Sequence, residues 1–250
     1  RDDVESRGLG DVYKRQLLGN GASTRAVTKS IRKLLDAVKL PVVETFQGAG
    51  IVSRELEEDT FFGRVGLFRN QPGDMLLKKA DLVIAIGYDP IEYEARNWNA
   101  EISARIIVID VAQAEIDTYF QPERELIGNI ADTIDLLLPA VNGYVLTKAS
   151  VDYLQNLKKN VVEDVKFDRN SKEGLVHPLD VIDVLQENTT DDMTVTVDVG
   201  SHYIWMARYF KSYEARHLLF SNGMQTLGVA LPWACLLYTS PSPRDSTSSR

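Results

Sequence analysis

The amino-acid sequence predicts an α/β protein: a doubly wound, parallel-sheet central domain followed by the first part of a second α/β domain. Three observations carry this. Leu82-Val83-Ile84-Ala85-Ile86 and Ile106-Ile107-Val108-Ile109 are unbroken apolar runs, as expected of strands covered on both faces. Segments of helical periodicity separate the strands, and such alternation implies a parallel sheet. Polar, glycine-bearing turns follow the strands, at the edge of a parallel sheet where ligands bind.

Leu17-Leu18 ends a first strand and Gly19-Asn20-Gly21 turns the chain. From Thr24 a helix carries Val27, Ile31, Leu34, Leu35 and Val38 on one face, with Arg25, Lys29, Arg32 and Lys33 outward. Pro41 stops it, and Val42-Val43 begins a strand ending near Gln47 to Gly50. Pro72 at a helix start, Asp74 in its first turn and Lys78-Lys79 in its last obey the rules for helix ends. Leu126 to Ile130 is a last strand and Ala131 to Val141 a last helix, closing a domain over 17–142. Gly19-x-Gly21 has Thr24 where a dinucleotide fingerprint needs its third glycine, so that motif fails. Asp110, ending its strand, reads as a solvated carboxylate.

Residues 143–174 form a linker: an amphipathic helix with Val151, Leu154, Leu157, Val161, Val162 and Val165, then a polar loop. The second domain, 175–234, opens with His177-Pro178 and a helix burying Val181, Ile182, Val184 and Leu185. Thr194, Thr196 and Asp198 alternate with Val195, Val197 and Val199, a strand pattern. Two polar turns come next, Asp198 to His202 and Ser221 to Gln225, each expected to open a helix. Free backbone N–H groups at a helix start favour an anion. Gly200 lets backbone approach a phosphate, and Ser201 and His202 are donors.

The two ends read as foreign. Cys235 to Asp245, CLLYTSPSPRD, back-translates to a DNA segment whose reverse complement, in a shifted frame, encodes SRGLGDVYKRQ, the residues Ser6 to Gln16. One inverted element at both ends is the mark of a sequencing adaptor, so 1–16 and 235–250 are set aside as artefactual tails. The remainder holds 22 Lys+Arg against 31 Asp+Glu, a net charge of −9. Such an acidic balance argues against a nucleic-acid partner, and no apolar run reaches a membrane span. The one cysteine, Cys235, lies in a tail, which excludes disulfides and thiol chemistry from the rest. A cytoplasmic location is expected.

DVGSHYIWMARYF, from Asp198, followed by SNGMQTLGVALPWA, from Ser221, resembles the start of the diphosphate-binding domain of thiamine-diphosphate enzymes. FGRVGLFRNQPGD runs from Phe62 to Asp74 and GYDPIEY from Gly87 to Tyr93; both resemble the central domain of the catabolic, FAD-independent acetolactate synthases. The resemblance implies thiamine diphosphate held by Gly200, Ser201, His202, Asn222, Gly223, Met224 and Gln225. In the family the methionine wedges between the cofactor's rings, a place that suits an adaptable thioether. It also implies Mg²⁺, with ligands beyond Ala234, no FAD, and decarboxylation of pyruvate with condensation onto a second pyruvate to give 2-acetolactate. A homo-oligomer, dimer or tetramer, is implied as well. No residue is assigned a catalytic role, because the family's activating glutamate belongs ahead of Leu17, and the fragment alone is expected to be inactive. Arg69 has two readings, holding a substrate carboxylate or pairing across a domain interface. Two alternatives stand beside this reading: a biosynthetic, FAD-binding acetohydroxyacid synthase, which bound flavin would reveal, and a non-catalytic nucleotide-binding α/β protein.

Overall fold

The computed structural model describes residues 13–67, 71–144, 146, 148–164 and 174–239. Its first domain is a six-stranded parallel sheet of β1 (Lys14–Leu18), β2 (Val42–Thr45), β3 (Phe61–Val65), β4 (Leu82–Ile86), β5 (Arg105–Asp110) and β6 (Arg124–Ile127). The spatial order is β3-β2-β1-β4-β5-β6. The chain therefore winds one way from β1 and the other way from β4, as a doubly wound fold does.

Side-chain alternation along β1 shows how both faces are filled. Leu17 joins a core with Leu76 and Leu77 of α3 (Pro72–Lys78) and Leu154 and Leu157 of the linker helix (Lys148–Asp164). Leu18 joins the opposite core with Ile31 and Leu35 of α1 (Arg25–Val38) and Ile134 of α4 (Ile130–Val141). With α2 (Arg54–Thr60) counted, the linker helix is α5. All five apolar residues expected on one face of α1 are buried.

Several boundaries differ from the sequence reading. The stretch from Phe61 to Val65, to which the sequence reading assigns no strand, is the edge strand β3. Gly63 and Arg64 interrupt its apolar pattern, and its pairing with β2 alone supplies what the local sequence lacks. Strand β1 starts at Lys14, inside the segment set aside as a tail, and pairs there with Leu82. Arg15 and Gln16 are fully buried in that strand. Phe68, Arg69 and Asn70 lie outside the described residues, so neither reading of Arg69 is addressed.

The second domain contains α6 (Pro178–Glu187), β7 (Val195–Val197), α7 (Ser201–Tyr209), β8 (Leu218–Phe220) and α8 (Ala230–Thr239). Strands β7 and β8 are parallel neighbours, so both polar turns leave the same end of the sheet. On α6 only Leu179 and Ile182 are buried; Val181, Val184 and Leu185 are exposed, contrary to expectation. The reason is that α6 meets α7 along the Leu179–Ile182 side, and the other apolar stripe has no cover among the described residues. His177 caps α6, its Nδ1 accepting from the Leu179 N–H at 3.2 Å.

The domains share a core. Phe46, just past β2, is fully buried against Tyr203 and Phe220 of the second domain, with ring centres 5.7 and 6.0 Å away. Beside it the buried Arg64 pairs with Glu44 at 3.2 Å and donates to the carbonyls of Phe210 and Ala207, at 2.8 and 3.3 Å. Those carbonyls belong to the C-terminal end of α7, where cations are favoured. The arginine thus fixes the far end of the helix that the first polar turn opens.

Candidate cofactor site

The first turn has the form of an anion cradle. Gly200 precedes α7, and no side chain caps that helix. Ser201 and His202 are exposed. A Cβ built on Gly200 would lie 2.8 Å from Cε1 of the His202 ring, so glycine leaves the imidazole room to stand over the turn. The N–H groups of the helix start, the Ser201 hydroxyl and the His202 ring are chemically suited to a diphosphate.

The second turn departs from expectation. No helix opens at Met224; α8 begins six residues later at Ala230. Gly223, Gln225 and Gly228 have φ of +84°, +48° and +81°, values a right-handed helix excludes. Asp198 holds this loop, its carboxylate accepting from the Gly228 N–H at 2.8 Å and the Ala230 N–H at 3.3 Å. Those bonds, with one from Val199, lower its pKa. The start of α8 is therefore occupied by a protein carboxylate and offers less to an external anion. Met224 is 89% exposed, so its thioether is available to a ligand and packs in no core. Gly223 and Gln225 are exposed as well.

Asn222 behaves differently from its neighbours. Its Oδ1 accepts from the Tyr203 hydroxyl at 3.2 Å, and its Nδ2 donates to the Glu92 carbonyl at 2.8 Å. The side chain is thus bonded to protein on both sides. The first bond ties the two polar turns together, and the second ties them to the loop after β4.

That loop, Gly87 to Tyr93, meets the turn after β1 at the point where the winding reverses. The two pack too closely for anything between them. A Cβ on Gly19 would lie 2.4 Å from the Gly87 oxygen, and one on Gly87, with φ of +56°, would lie 2.3 Å from the Ala22 nitrogen. The Glu92 carboxylate accepts from the Asn20 N–H at 2.9 Å, the Thr45 hydroxyl at 2.6 Å and the Asp89 N–H at 3.3 Å. A carboxylate of the protein itself thus sits at the turn where a doubly wound fold receives a nucleotide phosphate. Sequence reasoning finds the GYDPIEY segment but misses Glu92, Tyr203 and the capping by Asp198. Only the pairing of Asp198 with a glycine-bearing loop downstream is a readable signal.

Burial pushes the Glu92 carboxyl above its ordinary value of 4.5, against the pull of the Thr45, Asn20 and Asp89 donors. The folded state keeps its proton to higher pH than the unfolded chain does, so stability falls as pH rises from about 4.5 through the raised value. Glu92→Gln removes that titration. Urea unfolding between about pH 4 and about pH 8 is expected to show the variant gaining on the wild type as pH increases. A difference that stays constant, or that moves in the wild type's favour as pH increases, would contradict a raised Glu92 pKa.

Among the described residues no three His, Cys, Asp or Glu side chains come together as a metal site. Nor is any described helix long and apolar enough to cross a membrane. A cavity of about 990 Å³ lies between the domains beside Arg64 and Tyr213, away from both polar turns.

A doubly wound sheet joined to a parallel βαβ unit with a glycine-marked turn defines a two-domain α/β protein. Comparison with known families agrees: residues 16–137 match the thiamine pyrophosphate enzyme central domain, and residues 198–240 match the C-terminal TPP binding domain. The chain belongs to the thiamine pyrophosphate enzymes. It is 48% identical over 237 residues to an acetolactate synthase of Bacillus subtilis, covering 93% of this chain and 41% of that protein. It is 42% identical over 188 residues to a catabolic acetolactate synthase of Raoultella terrigena, covering 75% of this chain and 33% of that protein. A probable acetolactate synthase large subunit of Methanococcus aeolicus is 25% identical over 236 residues, covering 87% of this chain and 38% of that protein. The chain thus spans about two fifths or less of the length of these relatives.

Proposed function

We propose that this chain is the central domain and part of the diphosphate-binding domain of a thiamine-diphosphate-dependent, FAD-independent acetolactate synthase. The observation that carries the reading is the meeting of the two polar turns at one end of the β7–β8 sheet, joined through Asn222 and Tyr203. The names of the Bacillus subtilis and Raoultella terrigena relatives supply the product, acetolactate, and this reading takes pyruvate as the substrate. Gly200, Ser201 and His202 would hold the diphosphate, with donors directed to its oxygens. Met224, free of protein packing, would support the ring system, while Gly223 and Gln225 shape the backbone that presents it. When bound, thiamine diphosphate supplies a nucleophilic carbon and an electron sink for losing carbon dioxide from a 2-oxo acid. The chain's own residues bind and orient it.

Mg²⁺, with ligands expected beyond Ala234, would offset the negative charge of the diphosphate. The closed crevice around Glu92 supports independence from FAD, because a flavin nucleotide's phosphates would have to displace that carboxylate. A homo-oligomer in the cytoplasm completes the reading. The test uses the full-length protein, stripped of cofactor by dialysis against a chelator. Acetolactate formation from pyruvate is expected to vanish and to return only with thiamine diphosphate and Mg²⁺ together, with no flavin absorbance. Activity restored only on adding FAD would move the protein to the biosynthetic class. No activity with thiamine diphosphate bound, or no binding, would favour a non-catalytic protein.

A further inference from the structure

We infer that Asn222 and the Gly87–Tyr93 loop form a strut that positions both turns of the cofactor site against the central domain, with Asn222 a positioning residue and no ligand of the cofactor. The inference rests on the proposed use of those turns for thiamine diphosphate. Its first support is that both ends of the Asn222 amide are engaged by protein. Nδ2 donates to the Glu92 carbonyl, 130 residues away in sequence, and Oδ1 accepts from Tyr203 on the first turn of α7. Tyr203 in turn is buried, 1% exposed, its ring set between Phe46 and Phe220.

The second support is that the loop itself is anchored, and so gives the strut a fixed footing. Glu92 is 6% exposed, and its carboxylate gathers donors from three segments: the turn after β1, the end of β2 and its own loop. The Ile91 N–H is held by the Asp89 carboxylate at 2.9 Å. The third is contact: the open side of Gly223 faces Ile91, whose Cγ2 lies 3.5 Å from where a Cβ would stand. Ile91 is 69% exposed, so the loop carries an apolar side chain to the rim beside the exposed Met224 turn. A chain of bonds therefore runs from the sheet's reversal point through Glu92 and Asn222 to Tyr203, the residue next after Ser201 and His202.

Amide hydrogen exchange of the 250-residue chain, without cofactor, tests the strut. Asn222→Ala is expected to speed exchange about tenfold, the effect of losing roughly 1.4 kcal/mol of local protection, at the Tyr203, Glu92 and Ile91 amides. The β5 amides from Ile106 to Asp110 should not change. Tyr203→Phe, which deletes one hydroxyl and keeps the ring, should release the α7 turn and leave the Gly87–Tyr93 loop protected. Asn222→Asp, keeping an acceptor for Tyr203 and losing the donor to Glu92, should do the reverse. Acceleration confined to residues next to Asn222, or equal acceleration in β5, would overturn the inference. In the full-length protein, Asn222→Ala should then raise the dissociation constant for thiamine diphosphate about tenfold, while Asn222→Asp should raise it less. If thiamine diphosphate does not bind the parent, the cofactor reading fails while the exchange result stands.

Discussion

Replacing Arg15 by methionine and Gln16 by leucine is expected to stabilise the fold by about 4 kcal/mol. Both side chains are fully buried in β1. Arg15 Nε and Nη2 and both polar atoms of Gln16 have no hydrogen-bond partner. Arg15 makes one bond, from Nη1 to the Lys14 carbonyl, and its ring neighbour Tyr13 lies 5.2 Å from the guanidinium carbon. Burial lowers its pKa to about 10. An orphaned amide costs about 1–3 kcal/mol, and replacing a buried charge by apolar atoms of similar volume is neutral to favourable by about 1–4 kcal/mol. At roughly 2–4 °C per kcal/mol for a chain of this size, the melting temperature should rise by about 8–16 °C. Thermal and urea unfolding of the double variant measure it; an unchanged or lower midpoint would show those atoms to be satisfied after all. Strand β4 carries Leu82 to Ile86 at the equivalent register without one polar residue. An interior strand of a parallel sheet is covered on both faces, so the polar pair in β1 stands out against its neighbour.

Arg64→Met is expected to cost about 3–5 kcal/mol, the loss typical of stranding one partner of a buried ion pair. Glu44 is 1% exposed and would keep only the N–H groups of Val52 and Gly50. Burial already pushes its carboxyl up, and Arg64 is the strongest opposing influence. Without the arginine the pKa should climb further. The variant's deficit should accordingly be smallest at acid pH, where Glu44 is protonated in both states, and grow as pH rises above about 4.5. Adding Glu44→Gln to Arg64→Met should recover much of the loss at neutral pH. Urea unfolding of the four proteins gives the coupling directly; additive effects would mean the pair does not act as one. Because Arg64 also holds the Phe210 and Ala207 carbonyls, the single variant should loosen the end of α7.

The legible part of the structure is the part set by short-range pattern. The apolar faces of α1, the strands β4 and β5 and the turn glycines each declare themselves within a few residues, and all take the expected form. Gly200 and the uncapped start of α7 are readable for the same reason. The edge strand β3 is not, because Gly63 and Arg64 keep no strand period and the pairing with β2 decides it. The second turn reads as a helix start because Met224 and the residues after it look helical, whereas three positive φ angles and the Asp198 carboxylate hold a loop there.

Periodicity and glycine placement are therefore enough to establish the α/β class, the succession of strands and helices, and the two polar turns. The direction in which each polar side chain faces is settled by the assembled fold. Asn222 reads from sequence only as part of a polar turn, and the fold brings Tyr203 and Glu92 to the two ends of its amide. Glu92 carries no signal of its own in the sequence, and it is the turn after β1, 72 residues earlier, that closes over it. A buried polar group must find a partner, and that partner is supplied by whatever the fold brings near, at sequence distances no local pattern encodes.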